Sequence, residues 1–185
     1  MKKTWLTILA FVGIAGAVIM GRPHQGRVGP AFLYPDPKET PCLIATSDFA
    51  ELTANYNGKT YSQAHRKTSA KTKQRVCDAY PENCKASREI DHCIPIALGG
   101  ADDLRNLWAE PEIQNWNGEN WGFRRKDALE SYMVAQMKAG KITPNEAQEC
   151  FSDDWVKCYT EYMSDRLGSG TGGAPIWDGE DEVEF

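Results

Sequence analysis

Asp91 and His92 stand side by side at the head of an apolar, β-branched run that closes on Gly99-Gly100. An amide, Asn106, opens a second short apolar piece, Leu107-Trp108. Imidazole is the side chain suited to taking a proton from water near pH 7, because it is neutral there and still basic. Carboxylate and amide oxygens are donors that a hard divalent cation accepts. A base beside such a cation is what phosphodiester hydrolysis asks for, since the cation polarises the phosphate and stabilises the leaving oxygen. Strict strand alternation points neighbouring side chains to opposite faces. Asp91 and His92 therefore serve one site only if the strand is bent or twisted there. Alone, the pair reads equally well as a buried Asp-His pair in an ordinary hairpin.

The surrounding residues narrow that choice. Glu89-Ile90-Asp91-His92, Pro95, Gly99-Gly100 and Asn106-Leu107-Trp108 together resemble the HNH (ββα-metal) endonucleases. Further pieces resemble a group of small exported bacterial and phage-type HNH proteins: Pro35-Asp36-Pro37-Lys38, Thr60-Tyr61-Ser62-Gln63-Ala64-His65-Arg66, Asn106-Leu107-Trp108-Ala109-Glu110-Pro111 and Lys126-Asp127-Ala128-Leu129-Glu130. These pieces span residues 34 to about 155. The resemblance implies an α+β fold with a ββα-metal unit packed against additional helices. It implies His92 as general base, Asp91 as a metal ligand, Asn106 as the residue orienting His92, and a third ligand from the following helix.

The chain departs from the family pattern at that third ligand. Its histidines are His24, His65 and His92, so none follows His92. Asn115 lies nine residues after Asn106, where the family's last histidine falls, and Asn117 is its rival at the start of the expected helix. An amide oxygen suits Mg²⁺ and serves zinc poorly, so the expected cofactor is Mg²⁺ or Mn²⁺, with no organic cofactor. Residues 118–125 also look longer than the group's usual pattern, which leaves the helix register and the choice between the two asparagines open. His65 reads as a helix-surface or capping residue.

Several elements must position this constellation. Residues 21–57, rich in Pro and Gly up to Pro41, read as an extended arm. A helix is expected over 61–76, capped by Thr60 or Ser62. A second is expected over about 118–139, with Leu129, Tyr132, Met133 and Met137 as its core stripe and Gly140 at its C-cap. Thr143-Pro144-Asn145-Glu146 carries a capping box with Pro at the first helical position. It starts a last helix whose Ala147, Phe151, Trp155, Cys158 and Tyr162 share a face. These two helices are expected to form an antiparallel pair behind the strands.

Between residues 59 and 76 lie six bases (Lys59, Arg66, Lys67, Lys71, Lys73, Arg75) and no acid, whereas the last eight residues hold five acids and no base. The formal net charge of −5 therefore hides a segregation that matters more than its mean. Arg66, Lys67, Lys71 and Lys73, with Arg124, Arg125 and Lys126, are the candidate nucleic-acid contacts; a solvated charged face explains them equally well. The acidic tail could compete with nucleic acid for this face.

Met1-Lys2-Lys3 followed by an apolar run to Met20 has the form of an export signal, with Ala15-Gly16-Ala17 as a cleavage site. An uncleaved inner-membrane anchor is the alternative. All six cysteines lie beyond this leader, and an even count in an exported chain favours disulfides. No Cys-x-x-Cys pair supports a structural zinc site. Cys77 and Cys84 flank a short loop and are expected to pair. Cys150 and Cys158, on one unbroken helix, would stand about 12 Å apart, so each is expected to bond to Cys42 or Cys93 instead.

The expected organisation is a leader at 1–20, an arm at 21–57, an HNH nuclease domain at 58–167, and a Gly-rich linker with an acidic tail at 168–185. The expected function is metal-dependent endonucleolytic hydrolysis of DNA, nicking or weakly specific, by an exported, disulfide-stapled monomer that is periplasmic or secreted. The rival is a catalytically silent exported nucleic-acid-binding or envelope interaction protein on the same scaffold.

Overall fold

The computed structural model describes residues 26–86 and 89–168. The leader at 1–20 and the acidic tail lie outside the described residues. The expected arm is not a free extended segment. Leu33, Tyr34, Thr40 and Cys42 are buried, and residues 43–45 run beside the glycine turn, with an Ile44–Gly100 bridge and an Ala45 N–H bond to Gly99 O. Short helix α1 (Phe49–Thr53) ends the arm, capped by Asp48.

The helix expected over 61–76 is two helices. α2 (Tyr61–His65) starts on a capping box in which Thr60 and Gln63 satisfy each other's backbone N–H groups. It stops because Arg66 turns extended at ψ 119°. α3 (Ala70–Ala79) restarts on Ser69, whose side chain accepts from Thr72 N–H. Between them, Arg66 N–H still closes α2 on Ser62 O, whereas Lys67 N–H and Thr68 Oγ1 both bond the Asp102 carboxylate. His65 sits in the last turn of α2, its Nδ1 on Tyr61 O and its ring stacked on Tyr61, in keeping with a structural role. α4 (Pro81–Ala86) follows.

Strand β1 (Ile90–His92) pairs antiparallel with β2 (Leu107–Ala109), in the register Ile90↔Ala109, Asp91↔Trp108 and His92↔Leu107. Ile90, Leu107 and Ala109 pack on α3 through Val76. The loop joining the strands folds over its own glycines. A Cβ on Gly100 would lie 1.8 Å from Ile94 O, and Gly99 sits at φ 92° against Thr46 O. No other residue type fits both demands.

The stretch after β2 departs from the expected helix start at residue 118. β3 (Gln114–Trp116) and β4 (Glu119–Trp121) form a second antiparallel hairpin, Trp116 facing Glu119 across a two-residue turn. Asn117 and Gly118 have φ of 53° and 78°, the pair of positive values that a type I′ turn requires. Helix α5 (Phe123–Lys138) begins only after this hairpin. Leu129, Met133 and Met137 of its expected stripe are buried, each side chain stabilising the fold by about 1.5–3 kcal/mol.

α6 (Pro144–Gly168) packs along α5 and buries Ala147, Phe151 and Trp155 as expected. It is broken at Asp154, where φ is −155° and ψ is 84°. The break is held by the arm: Asp154 accepts from Val28 N–H and Tyr34 OH, and caps the second half through Lys157 N–H. Trp155 Nε1 donates to Leu33 O. Beyond the break the expected face is lost, and Tyr162 is 41% exposed.

The break overturns the expected pairing of Cys150 and Cys158 with Cys42 and Cys93. The two residues come to a Cα separation of 5.8 Å, which no unbroken helix allows. Cys42 pairs with Cys93 at 5.3 Å and Cys77 with Cys84, as expected, at 5.5 Å. The protein is thus α+β, with three cysteine pairs at disulfide distance. Such pairing fits an oxidising, exported environment. Non-reducing peptide mapping is expected to recover Cys42–Cys93, Cys77–Cys84 and Cys150–Cys158; a Cys42–Cys150 peptide would contradict the break in α6. No helix among the described residues is long and apolar enough to cross a membrane.

Candidate active site

The end of β1 places two adjacent side chains in two different environments. His92 is only 3% exposed, and its Nε2 lies 2.9 Å from Asp102 Oδ1. Burial lowers the His92 pKa below its ordinary value, opposed by the nearby Asp91 and Asp102 carboxylates. Burial thus favours the neutral ring. Asp102 sits in the loop just past Gly99-Gly100 and is held below the usual carboxylate range, against the effect of burial, by Thr68, His92 and Lys67 N–H.

Asn106, expected to orient His92, makes no hydrogen bond to that ring. Its side chain accepts from Ile94 N–H at 3.0 Å and donates to Ile94 O and Ala101 O at 2.8 and 2.9 Å. It is completely buried and braces the loop that carries Asp102. The expected aid to His92 is thus reassigned, because both amide N–H donors and the carbonyl oxygen are engaged by the backbone of this loop.

Asp91 turns to the other side, as alternation demands. One carboxylate oxygen accepts from His92 N–H and the other from the Lys126 ammonium of α5. Lys126 also donates to His92 O at 2.7 Å and lies 3.5 Å from Glu110 Oε2. Lys126 joins the two positions, reaching Asp91 and the His92 backbone at once, and the Asp91 charge acts on the His92 ring. Glu110 is fully buried, and its carboxyl group meets the Asp91 carboxylate and, at 3.5 Å, the Lys126 ammonium. Signals for these residues existed in the sequence. Lys126 and Glu130 are four apart on one helix face, and Glu110 stands two residues after Trp108, on the Asp91 side of the pleat.

Too few cations serve the acids here. Burial raises the Asp91 pKa, but the Lys126 charge and hydrogen bond, with His92 and Glu110, together outweigh it and bring Asp91 down to about 2. Burial pushes Glu110 well up, with Lys126 opposing and Asp91 adding to the rise. Burial, then the Asp91 charge, pushes Asp127 up to about 6 and Glu130 up to about 7. Lys126 is held above its ordinary value because Asp91 and Glu110 outweigh its burial.

Carboxylates with raised pKa bind protons more tightly in the folded state, so their stabilisation is full below the unfolded pKa and is lost as pH rises through the folded one. His92 has the opposite sign, but contributes one proton against four carboxylates, Glu89, Glu110, Asp127 and Glu130. The melting temperature of the metal-free protein is expected to fall between pH 5 and pH 7.5. A flat or rising profile over that window would contradict the cluster.

The remaining expected residues divide in two. Arg66, Lys67, Lys71 and Lys73 are exposed on residues 66–69 and α3, beside Asp102. Arg124 is exposed over the Phe123 ring. Arg125 stacks on Trp121 at 4.3 Å and pairs with Glu119, so its guanidinium is already engaged. Lys126 is corrected outright as a nucleic-acid contact: it is 1% exposed, held inside by the carboxylates it neutralises. Asn115 is exposed on β3, and Asn117 forms the hairpin turn. No hydrogen bond joins either to Asp91. Among the described residues, no group of three or more His, Cys, Asp or Glu side chains is arranged to hold a metal. Comparison with protein-family models, curated proteins and solved structures finds no match to this chain.

Proposed function

We propose that this chain is an exported endonuclease of the HNH type, hydrolysing phosphodiester bonds of DNA with weak sequence preference, as a monomer. The β1–β2 pair and α5, whose Lys126 meets Asp91, would form its ββα unit. The observation that carries the reading is the His92 imidazole hydrogen-bonded to Asp102 at 2.9 Å, beside the exposed bases of residues 66–73. His92 takes a proton from water, and Arg66, Lys67, Lys71 and Lys73 track the phosphates beside it.

A Mg²⁺ or Mn²⁺ ion fits Asp91 with Glu110 better than Asp91 with the hairpin asparagines. Magnesium is commonly held by one or two carboxylates, its shell completed by water and phosphate. Glu110 offers a second buried carboxylate beside Asp91, and the Lys126 ammonium now fills the cation position between them, so an ion held there would take that ammonium's place. Such an ion would polarise the phosphate and stabilise the leaving oxygen.

Supercoiled plasmid incubated with the purified chain and Mg²⁺ or Mn²⁺ is expected to become nicked circle, and a chelator to stop the conversion. Protein that never cuts DNA or RNA with either ion would defeat the proposal. The rival, a silent nucleic-acid-binding or envelope interaction protein, draws on the near-complete burial of His92 and the tie between Asp91 and Lys126. It predicts retention of DNA without nicking.

A further inference from the structure

We propose that Asp102 is the positioning residue of His92: it fixes the imidazole in the tautomer that keeps the Nδ1 lone pair available. The role in catalysis rests on the reading of His92 as the base; the tautomer itself does not. A carboxylate only accepts hydrogen bonds, so the His92 nitrogen facing Asp102, Nε2, must carry the proton when the ring is neutral. Nδ1 is then the basic atom. Asp102 cannot drift from this task, since its Oδ2 accepts from Lys67 N–H and its Oδ1 from Thr68 Oγ1. The loop beneath it is braced by Asn106 through Ala101 O.

The same geometry makes Asp102→Asn a directed test. Lys67 N–H can only donate, so the asparagine must turn its carbonyl oxygen to Lys67. Its NH₂ then faces His92 Nε2 and Thr68 Oγ1. The hydroxyl can rotate to accept, but Nε2 must become the acceptor and the proton moves to Nδ1. The shape changes little while the basic nitrogen is exchanged.

The experiment is ¹⁵N–¹H correlation NMR of the imidazoles in the full chain at a pH where both described rings are neutral. His65 is an internal reference, because its Nδ1 faces the Tyr61 carbonyl and must carry the proton. Wild-type His92 is expected to show the Nε2–H pattern, opposite to His65, and Asp102→Asn to convert it to Nδ1–H with a melting temperature near wild type. Nicking should fall on the order of 10⁴-fold, the loss when an orienting aspartate becomes asparagine in a serine-protease triad. An unchanged His92 tautomer in Asp102→Asn would overturn the proposal. If that variant does not fold, wild type alone decides, because an Nδ1–H pattern there overturns it too. A tautomer that switches in a protein that never nicks would uphold the positioning and defeat the nuclease reading.

Discussion

Lys126→Met is expected to melt about 10–15 °C below wild type, because it strands buried carboxylates that one ammonium now neutralises. Removing one partner of a buried ion pair costs about 3–5 kcal/mol, and each kcal/mol moves the midpoint of a domain this size by about 3 °C. Methionine keeps most of the stem's volume, so the loss reports charge rather than a cavity. Asp91→Asn in the same background should recover part of it, since the charge left uncompensated is then gone. Mg²⁺ or Mn²⁺ should raise the midpoint of Lys126→Met more than that of wild type, because the substitution frees the Asp91 and Glu110 oxygens for a cation. A variant melting within about 2 °C of wild type would show that the Lys126 ammonium does not hold the cluster together.

His92→Ala is expected to lower plasmid nicking by about 10²–10⁴-fold, the usual loss on removing a general base. The fold should survive it. Asp102 keeps its bonds to Lys67 and Thr68, so the substitution leaves no orphaned charge and costs about 1–3 kcal/mol. Assay well below the melting temperature separates chemistry from stability. Metal affinity, measured by calorimetry, should be unchanged, since Asp91 and Glu110 remain. Nicking that persists in His92→Ala at the wild-type rate would remove His92 from the reaction.

Much of this arrangement was legible in the chain itself. The Asp91-His92 strand, its Gly-Gly turn and the Asn106 piece pair as β1 and β2 because alternation, β-branching and punctuation are local properties. The α5 stripe and the start of α6 were readable for the same reason, since cap residues act within one turn. Asn117-Gly118 carried a turn signal as well. The expected helix start near residue 118 passes over that signal, and a hairpin stands there instead.

Other features depend on partners distant in sequence. The 61–76 helix is interrupted because Asp102, more than thirty residues later, takes the backbone and hydroxyl donors of residues 67 and 68. α6 breaks where Asp154 meets Val28 and Tyr34 of the arm, and that break turns Cys150 toward Cys158 instead of toward Cys42 or Cys93. Lys126 reads as a surface base in sequence, because a lysine is exposed unless buried acids surround it. Only packing brings Asp91 and Glu110 to it. Residue types and local spacing thus determined which groups could act as base and acids. The tertiary structure decided which atoms they face, because hydrogen-bond partners and desolvation are set by segments far apart in the chain.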